Sequence, residues 1–205
     1  MTVDAEMTLD IETFRDVMSR MAMPVAVVST VDGSGRRYGA TLGSVASLSL
    51  DPPMVMFALG HGTTVCRPVC DSGRFCISIL ASGQRFAAER FAGPAAGRFV
   101  PEMLFLDGIP VVDAALGWLV CGRPDLVEAG DHTIVIGRVE QALCGPGDGH
   151  GPLLYHGRRY HELGAPAAWR EAGTRTKPET EAETEPEPAP LPAYRHRGLI
   201  HTGSR

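Results

Sequence analysis

Apolar positions along the chain fall mostly in short runs or alternate with small polar residues, the pattern of strands rather than helices. Pro24 to Val31 is apolar and β-branched. Asp32-Gly33-Ser34-Gly35 then supplies glycine where a tight reversal needs positive φ. Arg36 to Leu42 reads as the return strand of a hairpin. Val45 to Leu50 alternates apolar residues with Ser and Ala, Asp51-Pro52-Pro53 is a sharp turn, and Met54 to Leu59 is a buried strand. Phe75 to Leu80 is another, and Trp118 to Val127 and Thr133 to Leu143 are two longer ones. Three segments carry helical signals. Leu9 to Met21 places Ile11, Phe14, Val17, Met18 and Met21 close to a 3.6-residue period, and Thr64 to Asp71 is a short helix. Ser82 to Phe91 starts on an N-cap serine, with Phe86 and Phe91 expected on its inner side. Many short strands and a few peripheral helices predict a mainly β fold, a closed or nearly closed barrel.

The composition changes near Gly164. From Ala165 onward the chain is rich in Ala, Pro, Thr and Glu and has little to bury, so residues 165–205 read as a disordered tail behind a domain spanning 1–164. The body carries 13 Arg against 18 Asp and Glu, the whole net charge of -5. An acidic body without a basic block excludes nucleic acid as the main partner. The only lysine is Lys177, in the tail, so the body has neither a Schiff-base lysine nor a P-loop. Anion binding there falls to Arg, His, hydroxyls or backbone N–H groups. None of the five cysteines forms a C-x-x-C pair, and no metal site is expected. No apolar run reaches the roughly 18 residues of a membrane span. The acidic first ten residues do not resemble a secretory signal, and the chain reads as cytoplasmic.

Three clusters can carry chemistry. Gly39-Ala40-Thr41-Leu42-Gly43-Ser44-Val45-Ala46-Ser47 leaves a strand and is rich in small and hydroxyl residues, which lets backbone N–H groups approach a planar or anionic ligand. Its alternative is a tight bend whose hydroxyls satisfy the local backbone. Gly60-His61-Gly62-Thr63-Thr64 precedes the expected short helix and offers donors for a phosphate at a helix N-terminus, or else is an ordinary cap. Gly130-Asp131-His132 opens a strand; the aspartate can hold the histidine in one tautomer facing a ligand, or the pair is a solvated turn. No G-x-G-x-x-G follows a strand, so a Rossmann site is not expected.

Together and in this order, the clusters resemble the flavin reductase-like family, the small reductase components of two-component flavin-dependent monooxygenases. The likeness runs from about Phe14 to Leu163. It is carried by Phe14-Arg15, Pro24 to Thr30, Tyr38 to Thr41, Ser44 to Pro53, Ser72 to Phe75, Arg90 to Gly93, Gly130 to Val139, and Pro152 to Tyr155 with Tyr160. The resemblance implies an FMN-binding split β-barrel of Greek-key type, a homodimer with flavin near its interface. Thr41, Ser44 and Ser47 would line the flavin ring and ribityl chain, within a cofactor-binding segment that includes Gly39, Ala40 and Leu42. His61, Thr63 and Thr64 would lie near the phosphate, and Phe91 by the flavin or the nucleotide. His132 would be the catalytic-site residue beside the nicotinamide. The implied activity is hydride transfer from NADH or NADPH to FMN, with FAD and riboflavin as alternative acceptors and a separate monooxygenase receiving the reduced flavin. A second reading is an FMN carrier or storage module of the same fold without turnover. A third gives the function to the tail. Met23-Pro24 stands where the family often has Thr-Gly, and the tail lies outside the family pattern.

Overall fold

A computed structural model describes residues 9–100, 103–146 and 150–163. The chain divides into two units, Met1–Pro166 and Ala167–Arg205; the second, with the tail read above as disordered, lies outside the described residues. In chain order, the first unit runs α1 (Ile11–Ser19), β1 (Met23–Pro24), β2 (Ala26–Val31), β3 (Arg37–Leu42), β4 (Ala46–Leu50) and β5 (Pro53–Gly60). It continues with α2 (Cys66–Ser72), β6 (Arg74–Ile79), α3 (Arg85–Ala92), β7 (Leu104–Leu106) and β8 (Ile109–Val111). The last strands are β9 (Gly117–Ala129), β10 (His132–Cys144), β11 (Leu153–His156) and β12 (Arg159–Glu162).

Seven strands form one antiparallel sheet in the order β3-β2-β6-β9-β10-β5-β4. Its two edges, β3 and β4, are consecutive in the chain. Leu42 and Ala46 are four residues apart, so these ends lie within roughly 14 Å of each other. A sheet whose outermost strands are tied this closely must curl round on itself. The result is a barrel split along one seam, and the connection Gly43–Val45 bridges that seam. β1, β11 and β12 make a separate three-stranded sheet, and β7 and β8 a hairpin.

Alternation explains the core. β2 sends Ala26 and Val28 into the barrel, beside Phe57, Phe75, Ile77 and Val135. It sends Val27 to the opposite side, against Leu80, Ala87, Ala88, Phe91 and Leu153. A strand buried on both faces reads as an unbroken apolar run, as Val25 to Val28 does. Inside the barrel, Phe57 and Phe75 meet edge to face with centroids 5.2 Å apart. Gly137 is small because any Cβ there would strike the Phe75 ring.

The helices depart from expectation in three ways. α1 is capped by Asp10, whose carboxylate accepts from the N–H groups of Thr13 at 3.0 Å and Glu12 at 3.3 Å, and it buries none of its residues. Ser82 does not cap α3; it opens a short 3-10 turn, Ser82–Gln84, where the Gln84 side chain accepts from Ala81 N–H at 3.0 Å. Phe86 is 75 % exposed and shares no face with the fully buried Phe91. Five helical positions turn the chain through about 140° beyond a full turn, so the two rings point apart. The β7-β8 hairpin had a readable signal, Asp107-Gly108, with φ of 48° and 78° at the two turn residues.

Candidate functional site

The three sequence clusters meet at the seam. Gly39 lies on the edge strand β3 against Phe91; a Cβ at that position would stand 2.8 Å from Phe91 Cε1. Two residues on, the Thr41 hydroxyl donates to the Ala88 carbonyl of α3 at 2.6 Å. Ser44 binds across the seam to β5: its hydroxyl accepts from Ala58 N–H at 3.0 Å and donates to Ala58 O at 3.3 Å. Ser47 is exposed and makes no side-chain hydrogen bond among the described residues. Two of the three hydroxyls therefore brace the bend itself. The edge strands retain a row of main-chain N–H and C=O groups without a strand partner, as edges do. Ala40 is half-buried beside the core and Leu42 is buried.

β5 leads from Ala58 to the second cluster. The Gly60 carbonyl accepts from Thr63 twice, from the N–H at 3.0 Å and the hydroxyl at 2.7 Å. α2 begins only at Cys66, its N-cap is Val65, and it has no side-chain cap. Thr63 and Thr64 thus belong to a loop rather than to a helix N-terminus, which corrects the sequence reading. The Thr64 hydroxyl accepts from Arg98 Nη1 at 3.3 Å. His61 donates its backbone N–H to Asp131 O at 3.0 Å, and its Nε2 lies 3.0 Å from Glu128 Oε2.

His132 pairs in register with Gly60 across the β5-β10 ladder, which brings the third cluster to the same end. Its Nδ1 is 2.7 Å from Asp131 Oδ1. That hydrogen bond, followed by the charge of His132, holds the Asp131 carboxyl below the usual carboxylate range. A proton on Nδ1 donates to this carboxylate, which orients the ring and turns Nε2 away from Asp131. The ring lies against Gly60: a Cβ there would stand 3.5 Å from Nε2 and 3.7 Å from the Thr63 methyl.

Phe91 does not line the site. It is fully buried, edge to face with Phe99 at 5.3 Å, and acts as the wall behind Gly39. The expected ligand contact from this ring is replaced by packing, because α3 seats it against β3.

Two recesses flank the Gly39–Leu42 part of β3. One, of about 280 Å³, is lined by Met23, Thr41, Leu42, Ala92, Tyr155 and Tyr160, and is largely apolar. The other, also about 280 Å³, is lined by Arg36, Arg37, Gly39, Thr64, Ala95 and Arg98 among others. The sequence reading missed the second recess. Arg36 and Arg37 end a hairpin while Arg98 arrives 59 residues after Gly39, whose carbonyl it holds at 2.7 Å. The hairpin is rigid at its turn: Asp32 accepts from the Ser34 hydroxyl at 2.6 Å, from Arg36 N–H and Ser34 N–H, and from Tyr38 OH at 3.0 Å. These bonds, led by Ser34, pull the Asp32 carboxyl down to about 2. The residues fit an FMN-like ligand: an apolar wall and an open strand edge for a planar ring, and a basic recess for a phosphate.

A family model described as "Flavin reductase like domain" matches residues 18–164. The chain is 39% identical over 153 residues to the NADH:riboflavin 5'-phosphate oxidoreductase of Streptomyces pristinaespiralis, covering 73% of this chain and 86% of that protein. It is 30% identical over 172 residues to the reductase subunit HsaB of a flavin-dependent monooxygenase from Mycobacterium tuberculosis, covering 80% and 90%. Among solved structures, the NADH:FAD oxidoreductase SgcE6 of Streptomyces globisporus, in complex with NAD and FAD fragments, superposes with a TM-score of 0.72 at 30% identity, covering 80% of this chain and 99% of that one.

Proposed function

The chain belongs to the flavin reductase-like domain family, and we propose that it uses NADH or NADPH to reduce FMN and passes the product to a separate monooxygenase. It is an oxidoreductase, and flavin reduction is its activity. The observation that carries the FMN-specific reading is the convergence of Gly39–Ser47, Gly60–Thr64 and His132 at one open seam with a basic recess beside it. The bound flavin accepts the hydride, so the protein needs no nucleophile of its own.

The chain's residues bind and orient. Backbone N–H groups along β3 and the Gly43–Val45 connection face the ring carbonyls where negative charge gathers. Ser47 adds a hydroxyl. Thr41 and Ser44 keep the edge in shape by holding Ala88 and Ala58. His132, oriented by Asp131, lies against Gly60 and borders the place where the nicotinamide stacks. The domain is residues 1–164, the tail is dispensable for turnover, and the protein acts in the cytoplasm as a homodimer. The apolar stripe of α1 supports pairing, since Ile11, Phe14, Val17 and Met18 are all exposed in the single chain.

The test is anaerobic bleaching of FMN absorbance by the purified protein with NADH, then with NADPH. Bleaching with either nucleotide is expected, and it persists after deletion of residues 165–205. FMN binding without bleaching would replace this reading with that of a carrier. Replacement of His132 by Ala slows hydride transfer in the reductase and leaves a carrier unchanged.

A further inference from the structure

We propose that Glu128 is a positioning residue for the nicotinamide nucleotide: by holding His61 it locks the Gly60–Thr64 loop beside His132. The inference rests on the flavin reductase reading above. It places His61 on the nucleotide side of the site rather than at the flavin phosphate.

Two imidazoles flank Gly60. His61 follows it in the chain, and His132 faces it across the β5-β10 ladder. Each ring meets a carboxylate of the β9-β10 hairpin, His132 with Asp131 at 2.7 Å and His61 with Glu128 at 3.0 Å. The hairpin also takes the loop backbone, since His61 N–H donates to Asp131 O at 3.0 Å. Loop and ring are neighbours as well: the Thr63 methyl and the His132 imidazole both lie over Gly60. A shift of the loop therefore changes the space beside His132.

An ion pair between two free surface side chains contributes little, and Glu128 and His61 are both open to solvent. Glu128 differs from a free side chain because its other oxygen is anchored. Its Oε1 accepts from the Thr133 hydroxyl at 3.1 Å. Thr133 is its register partner on β10 and is only 3 % exposed. Behind that hydroxyl stands the Cys66 thiol, at 3.9 Å, on the first residue of α2. The carboxylate thus spans a buried hydroxyl and an imidazole, with one oxygen for each. Little freedom remains to be lost when the second bond forms, and the His61 ring gains a direction as well as a partner.

The two ends of the loop answer to different parts of the site. Thr64 is tied by its hydroxyl to Arg98, which also holds Gly39 O on β3, the flavin edge. His61 is tied to the hairpin that carries His132. Glu128 therefore governs the nucleotide end and leaves the flavin end to other bonds.

The experiment uses the full chain and reads the two ligands separately. It combines steady-state kcat and KM for NADH, calorimetric titration of NAD⁺ into the FMN-loaded protein, which needs no turnover, and fluorescence titration of FMN alone. E128A is expected to raise the KM for NADH and the Kd for NAD⁺ by about three- to tenfold. Its kcat, FMN affinity and unfolding midpoint stay near those of the wild type. H61A shows a loss of similar size, and H61A/E128A loses no more than H61A alone, because the carboxylate acts through that ring. E128Q can still bond both Thr133 and the ring, and recovers part of the affinity. T133V frees one oxygen and gives a smaller rise; it decides the matter if E128A fails to fold. D125N removes another exposed carboxylate of β9 and leaves NADH binding unchanged. Additive losses in the double variant would overturn the proposal, as would an equal rise in D125N. So would a fall in FMN affinity with NADH binding intact, which would return His61 to the flavin. A wild type that binds NAD⁺ without reducing flavin, and is weakened by E128A all the same, upholds the positioning role and removes the reductase reading instead.

Discussion

α1 and α3 are both short amphipathic helices, and they end in opposite environments. α3 presses Ala87, Ala88 and Phe91 onto β3 and the apolar cluster of Val27, Leu80 and Leu153. α1 and the turn after it present Ile11, Phe14, Val17, Met18 and Met21 with the same periodicity, and all five are exposed. Its ties to the remaining fold include the pair Arg158–Asp16 at 2.7 Å and the bond from Gly157 N–H to Ser19 O at 2.7 Å. A helical stripe therefore specifies that something covers it without specifying what. For α3 the cover is the chain's own sheet. For α1 the cover proposed above is a second copy of the chain.

That contrast can be tested from its strongest consequence down. Phe91→Ala removes the ring that supports Gly39 and is expected to cost about 3–5 kcal/mol in urea unfolding. The matched Phe14→Ala is expected to change the stability of the isolated chain by no more than about 0.5 kcal/mol. Equal losses would mean that α1 is as much part of the single-chain core as α3. Gly39→Ala keeps Phe91 but pushes a methyl group into it, for a cost of about 1–3 kcal/mol; an unchanged unfolding midpoint would show that the ring yields freely. Next comes Val17→Asp, which should leave the monomer folded and shift sedimentation from dimer to monomer. A persistent dimer would move the interface away from α1.

The smallest effect concerns the cap of α1. Asp10 has its carboxyl lowered from the ordinary 3.8, first by the Thr13 hydroxyl and then by the N–H groups of Thr13 and Glu12. A depressed carboxylate stabilises the folded form above its unfolded pKa, and that contribution is lost as pH falls through the folded value. Helical circular dichroism from α1 should therefore decline as pH drops below the ordinary 3.8. It should stay flat through that window in Asp10→Asn, whose amide caps without titrating. A decline of equal size in both proteins would place the acid transition elsewhere.

Much of the sheet was legible because alternation is a local property. β2, β3, β4, β5, β6, β9 and β10 all lie where short apolar or alternating runs predict them. β1, β11 and β12, at two to four residues each, are too short for periodicity to register. The three candidate clusters were legible by residue type. Their detailed roles were not, because Thr41 and Ser44 spend their hydroxyls on Ala88 and Ala58, partners 47 and 14 positions away. Phe91 shows the same limit: helical geometry already separates it from Phe86, and only the packing of α3 on β3 decides which of the two rings is buried.

Strand periods, turn residues and the want of a lysine in the body follow from neighbouring positions, where steric preference and alternation act without reference to the remainder of the fold. The meeting of β3 with β4, the seating of Phe91 behind Gly39 and the gathering of three arginines in one hollow depend on which distant segments share the same space. Sheet closure and core packing set that, since each such contact lowers the free energy only once the whole barrel has formed.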